Sequence, residues 1–283
     1  MSDRPAVTAT IICARPDGLV LPLEYMAKQK LDEPWELLIV NWGFGEQDEL
    51  IRALWRTLRP DVPLRHVPLL APLPINNGVY NSWHMGVSFN TAWTHALGEF
   101  IAVIEDFWMF QDTWLQDHLR LQREVRGSEF IVGYNHSDPH WDLAAPWHYG
   151  IPAIIMCNFS HRTEAAWYSN GLGAPEWPTR HPEITILPNV FGNRGYTAVR
   201  KPVHAWHQTH YPDGCFAQIM QKRAYIPGEA YYHPDGRSFD GMFTYVPVER
   251  LGNAAAYSLV PPADLTPYRR NIREERQKFG YWV

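Results

Sequence analysis

The first 140 residues alternate between short apolar runs and helix-like stretches, and that alternation restricts the fold more than any other feature. "AVTATIICA" (6–14) is rich in β-branched residues and ends at the turn sequence "RPDG". A short helix, "LVLPLEYMAKQK", follows. Trp35 to Val40 forms a second strand, broken at Asn41-Trp42-Gly43 and followed by the helical "EQDELIRALWRTLR". "PLRHVPLL" reads as a third strand, and "APLPINNGVYNSW" as a loop. "SFNTAWTHAL" has helical spacing at Phe89, Trp93 and Ala96, with Gly98 in a C-cap position. "EFIAVIED" is a fourth strand and "EFIVGYN" a fifth. Between them "TWLQDHLRLQREVRG" carries Leu115, Leu119, Leu121 and Val125 on an apolar side. Strands alternating with helices predict an α/β unit with a mainly parallel sheet flanked by helices.

In open sheets of this kind ligands bind beyond the carboxyl ends of the strands. That rule selects Cys13–Pro16, Asn41–Phe44 and Glu105–Trp108, where apolar sequence gives way to polar, Gly or Pro residues. After about residue 140 the texture changes to dense Pro, His, Trp and Tyr, as in "HSDPHWDLAAPWHYG" and "KPVHAWHQTHYPDG". Residues 1–140 are therefore read as a ligand-binding half and 141–283 as a loop-rich second half of one domain.

The bulk properties narrow the class. Net charge is −5, which argues against a surface built wholly for nucleic acid. One basic stretch stands out, "TPYRRNIREERQKFGYWV", read as a solvated helix face or as a contact for an acceptor or partner. No run approaches the roughly 20 apolar residues of a membrane span. Cys13, Cys157 and Cys215 have no metal-like spacing, so a reducing cytoplasm is expected. The 13 Trp suit stacking on sugar or base faces but equally suit a core.

Three segments resemble the inverting glycosyltransferases of family two, with the GT-A nucleotide-diphospho-sugar transferase fold. "ATIICARPDGL" is similar to the opening strand and turn, and "WELLIVNWGFGEQDEL" to the second strand. "SFNTAWTHALGEFIAVIED" is similar to the helix–Gly–Glu–strand run before the DxD-type acidic motif. A looser match, "HRTEAAWYSNGLGAPEW" (161–177), resembles the acceptor-side segment. Three positions depart from the pattern: Asn41 replaces an acidic residue, Phe89 an Arg, and Phe107 the last acid of the DxD-type motif.

The resemblance implies a soluble enzyme moving a sugar from a nucleotide-diphosphate sugar, such as a UDP-sugar, to a soluble acceptor with inversion. Cys13, Ala14, Arg15, Asn41, Trp42, Asn90, Glu105 and Asp106 would bind the nucleotide sugar. Asp106 would hold a divalent cation, Mn2+ or Mg2+, with His210 or His207 completing the site. His204, His207 and His210 recur every three residues, a spacing that shares one face if the segment is helical. Glu176 is the expected general base, with Asp235 and Asp240 next in line. The acceptor could be a small molecule, a protein or a hydroxymethylated base in DNA, the last suggested by aromatic loops and the basic tail. Two rivals remain open. One is a degenerate transferase that binds nucleotide or glycan without turnover. The other is a nucleotidyltransferase, disfavoured because "CARPDGL" has no Gly-rich loop or Lys.

Overall fold

The computed structural model describes residues 4–13, 19–41, 48–70, 80–81, 83–105, 108–127, 129–136, 158–167, 197–207, 230–232, 238–240, 257–258 and 271–283. Its centre is a mixed eight-stranded sheet. β1 (Val7–Cys13) and β2 (Trp35–Asn41) are buried along their whole length, which explains why both read as continuous apolar runs rather than alternating ones. β3 (Leu64–Pro68), β2, β1 and β5 (Phe100–Glu105) pair in parallel, in that order. β8 (Asn158–Arg162) enters antiparallel between β5 and β7 (Glu129–His136). β9 (Thr197–His207) runs parallel to β7, and β6 (Trp108–Phe110) pairs antiparallel with the end of β9. Strands from both halves of the sequence thus share one sheet. Outside it, β4 (Tyr80–Asn81) pairs with β12 (Tyr257–Ser258), and β10 (Ala230–Tyr232) with β11 (Ser238–Asp240).

Among the described residues four helices flank the sheet: α1 (Val20–Ala27), α2 (Asp48–Leu58), α3 (Trp83–His95) and α4 (Trp114–Glu124). α2 opens on Asp48 and Glu49 and carries Arg56 in its last turn, charges that complement its dipole. Ile51 and Trp55, four residues apart, turn the same face of α2 inward. α4 sends a polar cluster into the core. There His118 meets Ser160 Oγ at 2.9 Å and Asn158 Oδ1 at 3.1 Å, and Trp114 Nε1 donates to the same Asn158 oxygen at 2.9 Å. Burial pushes the His118 imidazole down to about 4, so it is neutral.

Three sequence expectations are corrected. α3 begins at Trp83, inside the stretch expected to be loop, and Tyr80–Asn81 is a strand. Gly98 is not a C-cap: a Cβ there would stand 2.4 Å from the Thr8 nitrogen and 2.5 Å from the Val7 carbonyl carbon. Glycine is required because the turn after α3 lies directly on β1. Finally, His204 and His207 lie on strand β9, not on a helix, so the helical reading of their spacing does not apply.

The basic tail is helical at α5 (Ile272–Lys278), but its central cation is not solvated. Arg276 is fully buried and reaches the carboxyl end of α3. Arg65, held in a two-pronged pair by the buried Glu36 at 2.7 and 2.8 Å, and Arg4 reach the same helix end.

Candidate functional site

Register brings the predicted strand ends together. Cys13 pairs with Asn41, Asn41 with Pro68, and Ile12 with Glu105. Cys13, Asn41 and Pro68 therefore form one row across β1, β2 and β3 at the carboxyl edge. Glu105 closes β5 opposite Ile12, one step short of that row. Cys13 is fully enclosed and Asn41 is 4% exposed. Asn90, in the middle of α3, is fully enclosed as well. Ala14, Arg15, Trp42, Asp106, Glu176 and His210 lie outside the described residues, as do Phe107 and Asp235. Asp240 ends β11, away from the main sheet's ladders.

The ladder order has a geometric consequence at this edge. β8, β7 and β9 stand between β5 and β6. In a flat sheet four steps of about 4.8 Å would separate β5 from β6, about 19 Å in all. Yet Glu105 and Trp108 are only three residues apart in sequence, a reach of about 11 Å at most. The ends of β7 and β9 must therefore curl back beyond the start of β8. The packing of β6 agrees. Phe110 lies 5.8 Å from Tyr25 of α1, ring centre to ring centre, and Gln29 Nε2 donates to the Gln111 carbonyl at 2.8 Å. His207 pairs with Trp108, so the curl brings the carboxyl end of β9 to the carboxyl end of β5. His207 thus pairs with a residue three positions beyond Glu105 in the chain. The sequence spacing had grouped it with His204 and His210 instead.

A network missed by sequence reasoning sits at the end of β2. Asn41 Nδ2 lies 2.8 Å from His66 Nε2, and His66 Nδ1 bonds to Asp48 Oδ1. Arg52 Nε lies 2.9 and 2.8 Å from the two Asp48 oxygens, and its Nη2 donates to the His66 carbonyl at 3.2 Å. Burial tends to raise the Asp48 pKa, but hydrogen bonds from Arg52 and His66 outweigh it and hold the carboxyl below its usual range. Burial pushes the His66 imidazole below its usual value, with Asp48 pulling the other way. The His66 side chain is 3% exposed. No spacing signal links these residues, because the contacts depend on β2–β3 register and on where α2 begins.

Among the described residues no group of three or more His, Cys, Asp or Glu is placed to hold a metal ion. Nor is any described helix long and apolar enough to cross a membrane.

No protein-family model matches the sequence, and no curated protein matches it. Solved structures do. The mannosyltransferase PcManGT from Pyrobaculum calidifontis, in complex with GDP-Man and Mn2+, superposes with a TM-score of 0.55 at 15% identity, over 79% of this chain and 62% of that one. S. aureus TarS 1-349, in complex with UDP, gives a TM-score of 0.51 at 15% identity, over 76% of this chain and 63% of that one. The chain therefore spans less than two thirds of either protein's length. The likeness establishes the fold: a Rossmann-like GT-A fold, with its mainly parallel sheet flanked by helices, as the sequence predicted.

Proposed function

We propose that the chain is a glycosyltransferase that moves a sugar from a nucleotide-diphosphate sugar to a soluble acceptor, with inversion. One observation carries this reading. Cys13 and Asn41 stand side by side, with Glu105 one step behind, at the carboxyl edge of a GT-A sheet. Solved proteins of this fold are complexes with UDP, or with GDP-Man and Mn2+, which supports a nucleotide-sugar site at that edge.

In this reading Cys13, Ala14, Arg15, Asn41 and Trp42 grip the nucleotide from the ends of β1 and β2. Asn90 backs them from α3, and Glu105 meets the ribose. Asp106 would hold Mn2+ or Mg2+ with His210, or with His207 from the curled end of β9. Carboxylate and imidazole donors suit Mn2+, and the cation would neutralise charge on the departing diphosphate. Glu176 takes the proton from the acceptor hydroxyl as its oxygen bonds to the anomeric carbon and the bond to the diphosphate breaks. A hydroxymethylated DNA base is one acceptor within this class, but burial removes Arg276 of the basic tail from any nucleic-acid contact.

The test is a panel of labelled UDP- and GDP-sugars with Mn2+, with Mg2+ and with chelator. Metal-dependent hydrolysis or transfer of at least one donor is expected. Binding without turnover across the panel would make the chain a binding module, a reading the amide at Asn41 favours. Neither binding nor turnover would overturn both readings.

A further inference from the structure

The amino edge of the sheet carries a cleft of about 370 Å³, a volume within the range of small-molecule sites. Pro5 and Ala6 lead into β1, Pro34 into β2 and Glu99 into β5. The six residues of β5 put this cleft about 20 Å from the carboxyl edge. A ligand held here is therefore separate from the donor edge, and the inference goes beyond the donor-site reading without resting on it.

Pro5, Ala6 and Pro34 supply the apolar part of the lining. Proline has no backbone N–H, and Ala6 spends its own on the Pro34 carbonyl at 2.7 Å. Polar recognition therefore falls to the charged side chains around them. Arg123 and Glu33 close on each other in a two-pronged pair. Arg4 donates to the Leu97 and Gly98 carbonyls and lies over Trp282, 3.2 Å from the ring centre. Arg162 is held more loosely. It is divided between Glu99 Oε1 at 3.5 Å and Glu164 Oε2 at 3.8 Å. The first contact is the one hydrogen bond its guanidinium makes among the described residues, and its Nε is buried with no acceptor. All three side chains are partly exposed, where ion pairs of this length contribute little to stability and are easily exchanged.

We propose that this cleft binds a free α-amino acid with an apolar side chain. An anion alone would take Arg162 but lie against two uncompensated carboxylates. A cation alone would take the carboxylates but lie against an uncompensated guanidinium. A molecule with both charges on one carbon exchanges both partners at once. Its carboxylate takes the Nη1–Nη2 fork of Arg162, and its ammonium, with three donors, takes Glu99 and Glu164. Its apolar side chain then covers Pro5, Ala6 and Pro34.

The test is titration of the full chain with leucine, phenylalanine, N-acetyl-leucine and leucinamide, followed in amide nitrogen-15 spectra. Leucine and phenylalanine should shift the amides of Ala6, Glu99 and Glu164 saturably. Each leucine analogue with a single charge should bind about 10-fold or more weakly, the scale of one charged hydrogen bond. R162M keeps an aliphatic chain beside Phe100 but removes the fork, and should lose leucine binding. R120M, which removes an exposed arginine outside the cleft, should keep it. Should R162M fail to fold, E164Q removes one ammonium partner and should weaken leucine binding by about 10-fold. Equal binding of leucine and either single-charge analogue overturns the proposal. So does leucine binding that survives both R162M and E164Q unchanged, or the absence of a saturable shift at these amides for both amino acids up to their solubility. No nucleotide sugar enters this experiment, so its outcome is independent of the donor panel.

Discussion

Arg276 Nη1 donates to the carbonyl of Trp93 at 2.9 Å, across 183 residues of chain. The same nitrogen lies 3.1 Å from the Thr94 carbonyl and 2.6 Å from that of Ala96. Arg65 serves His95, and Arg4 serves Leu97 at 3.2 Å and Gly98 at 2.9 Å. Six consecutive carbonyls at the end of α3 are thus met by arginines from three distant segments. A helix normally leaves its last four carbonyls without intrahelical partners, and its negative end favours cations.

Replacing Arg276 with Ala should cost about 3 kcal/mol, because buried carbonyls lose their donor and Trp167 and Trp282 lose a stacked cation. The expected fall in melting temperature is roughly 6–12 °C. Arg276→Met keeps the aliphatic packing without the donors and should lose nearly as much. A Met variant as stable as wild type would show that capping is not the source.

Gly98→Ala should destabilise by about 3 kcal/mol or more, since backbone atoms of Val7 and Thr8 occupy the Cβ position and cannot rotate away. Urea unfolding measures it. A loss under about 0.5 kcal/mol, the scale of an ordinary surface substitution, would contradict the close approach.

Stability should fall steeply between pH 7 and pH 5. His118 and His161 are fully buried, and burial pushes each down to about 4. In the unfolded chain they titrate near 6.5, so there they bind protons that the folded state refuses. Their contribution is complete above pH 6.5 and is lost as pH drops toward 4, on the order of 2 kcal/mol each by pH 5. Urea midpoints at pH 7.5 and 5 test this, and equal midpoints would contradict it.

Asp106→Ala should abolish transfer while the protein stays folded, as activity and melting curves of the variant would show. Wild-type turnover in this variant would remove Asp106 from the site.

Glu176→Gln should retain nucleotide binding and slow transfer by roughly 10²–10⁴-fold, the scale of a lost general base. Undiminished turnover would place the base on another residue.

The parallel core was legible because β1, β2 and β5 are buried on both faces, and such strands announce themselves as apolar runs. The carboxyl-edge rule then named Cys13, Asn41 and Glu105, and register set them side by side. What escaped depends on long-range pairing. Pro202 lies in a stretch of β9 where the register to β7 shifts, and the strand beyond it carries His204 and His207, whose spacing mimics a helix. The Asn41–His66–Asp48 contacts need two strands in register, which local pattern cannot supply. Arg276 looked like one charge in a solvated run because nothing nearby reveals the open helix end it covers.

That helix end also sets an order of events during synthesis. α3 and the strands it covers are made early, yet their last backbone partners arrive only when residue 276 has been translated. The nascent first half therefore emerges with an unsealed helix, whose end against the start of β1 is closed only after the far end of the sequence has docked.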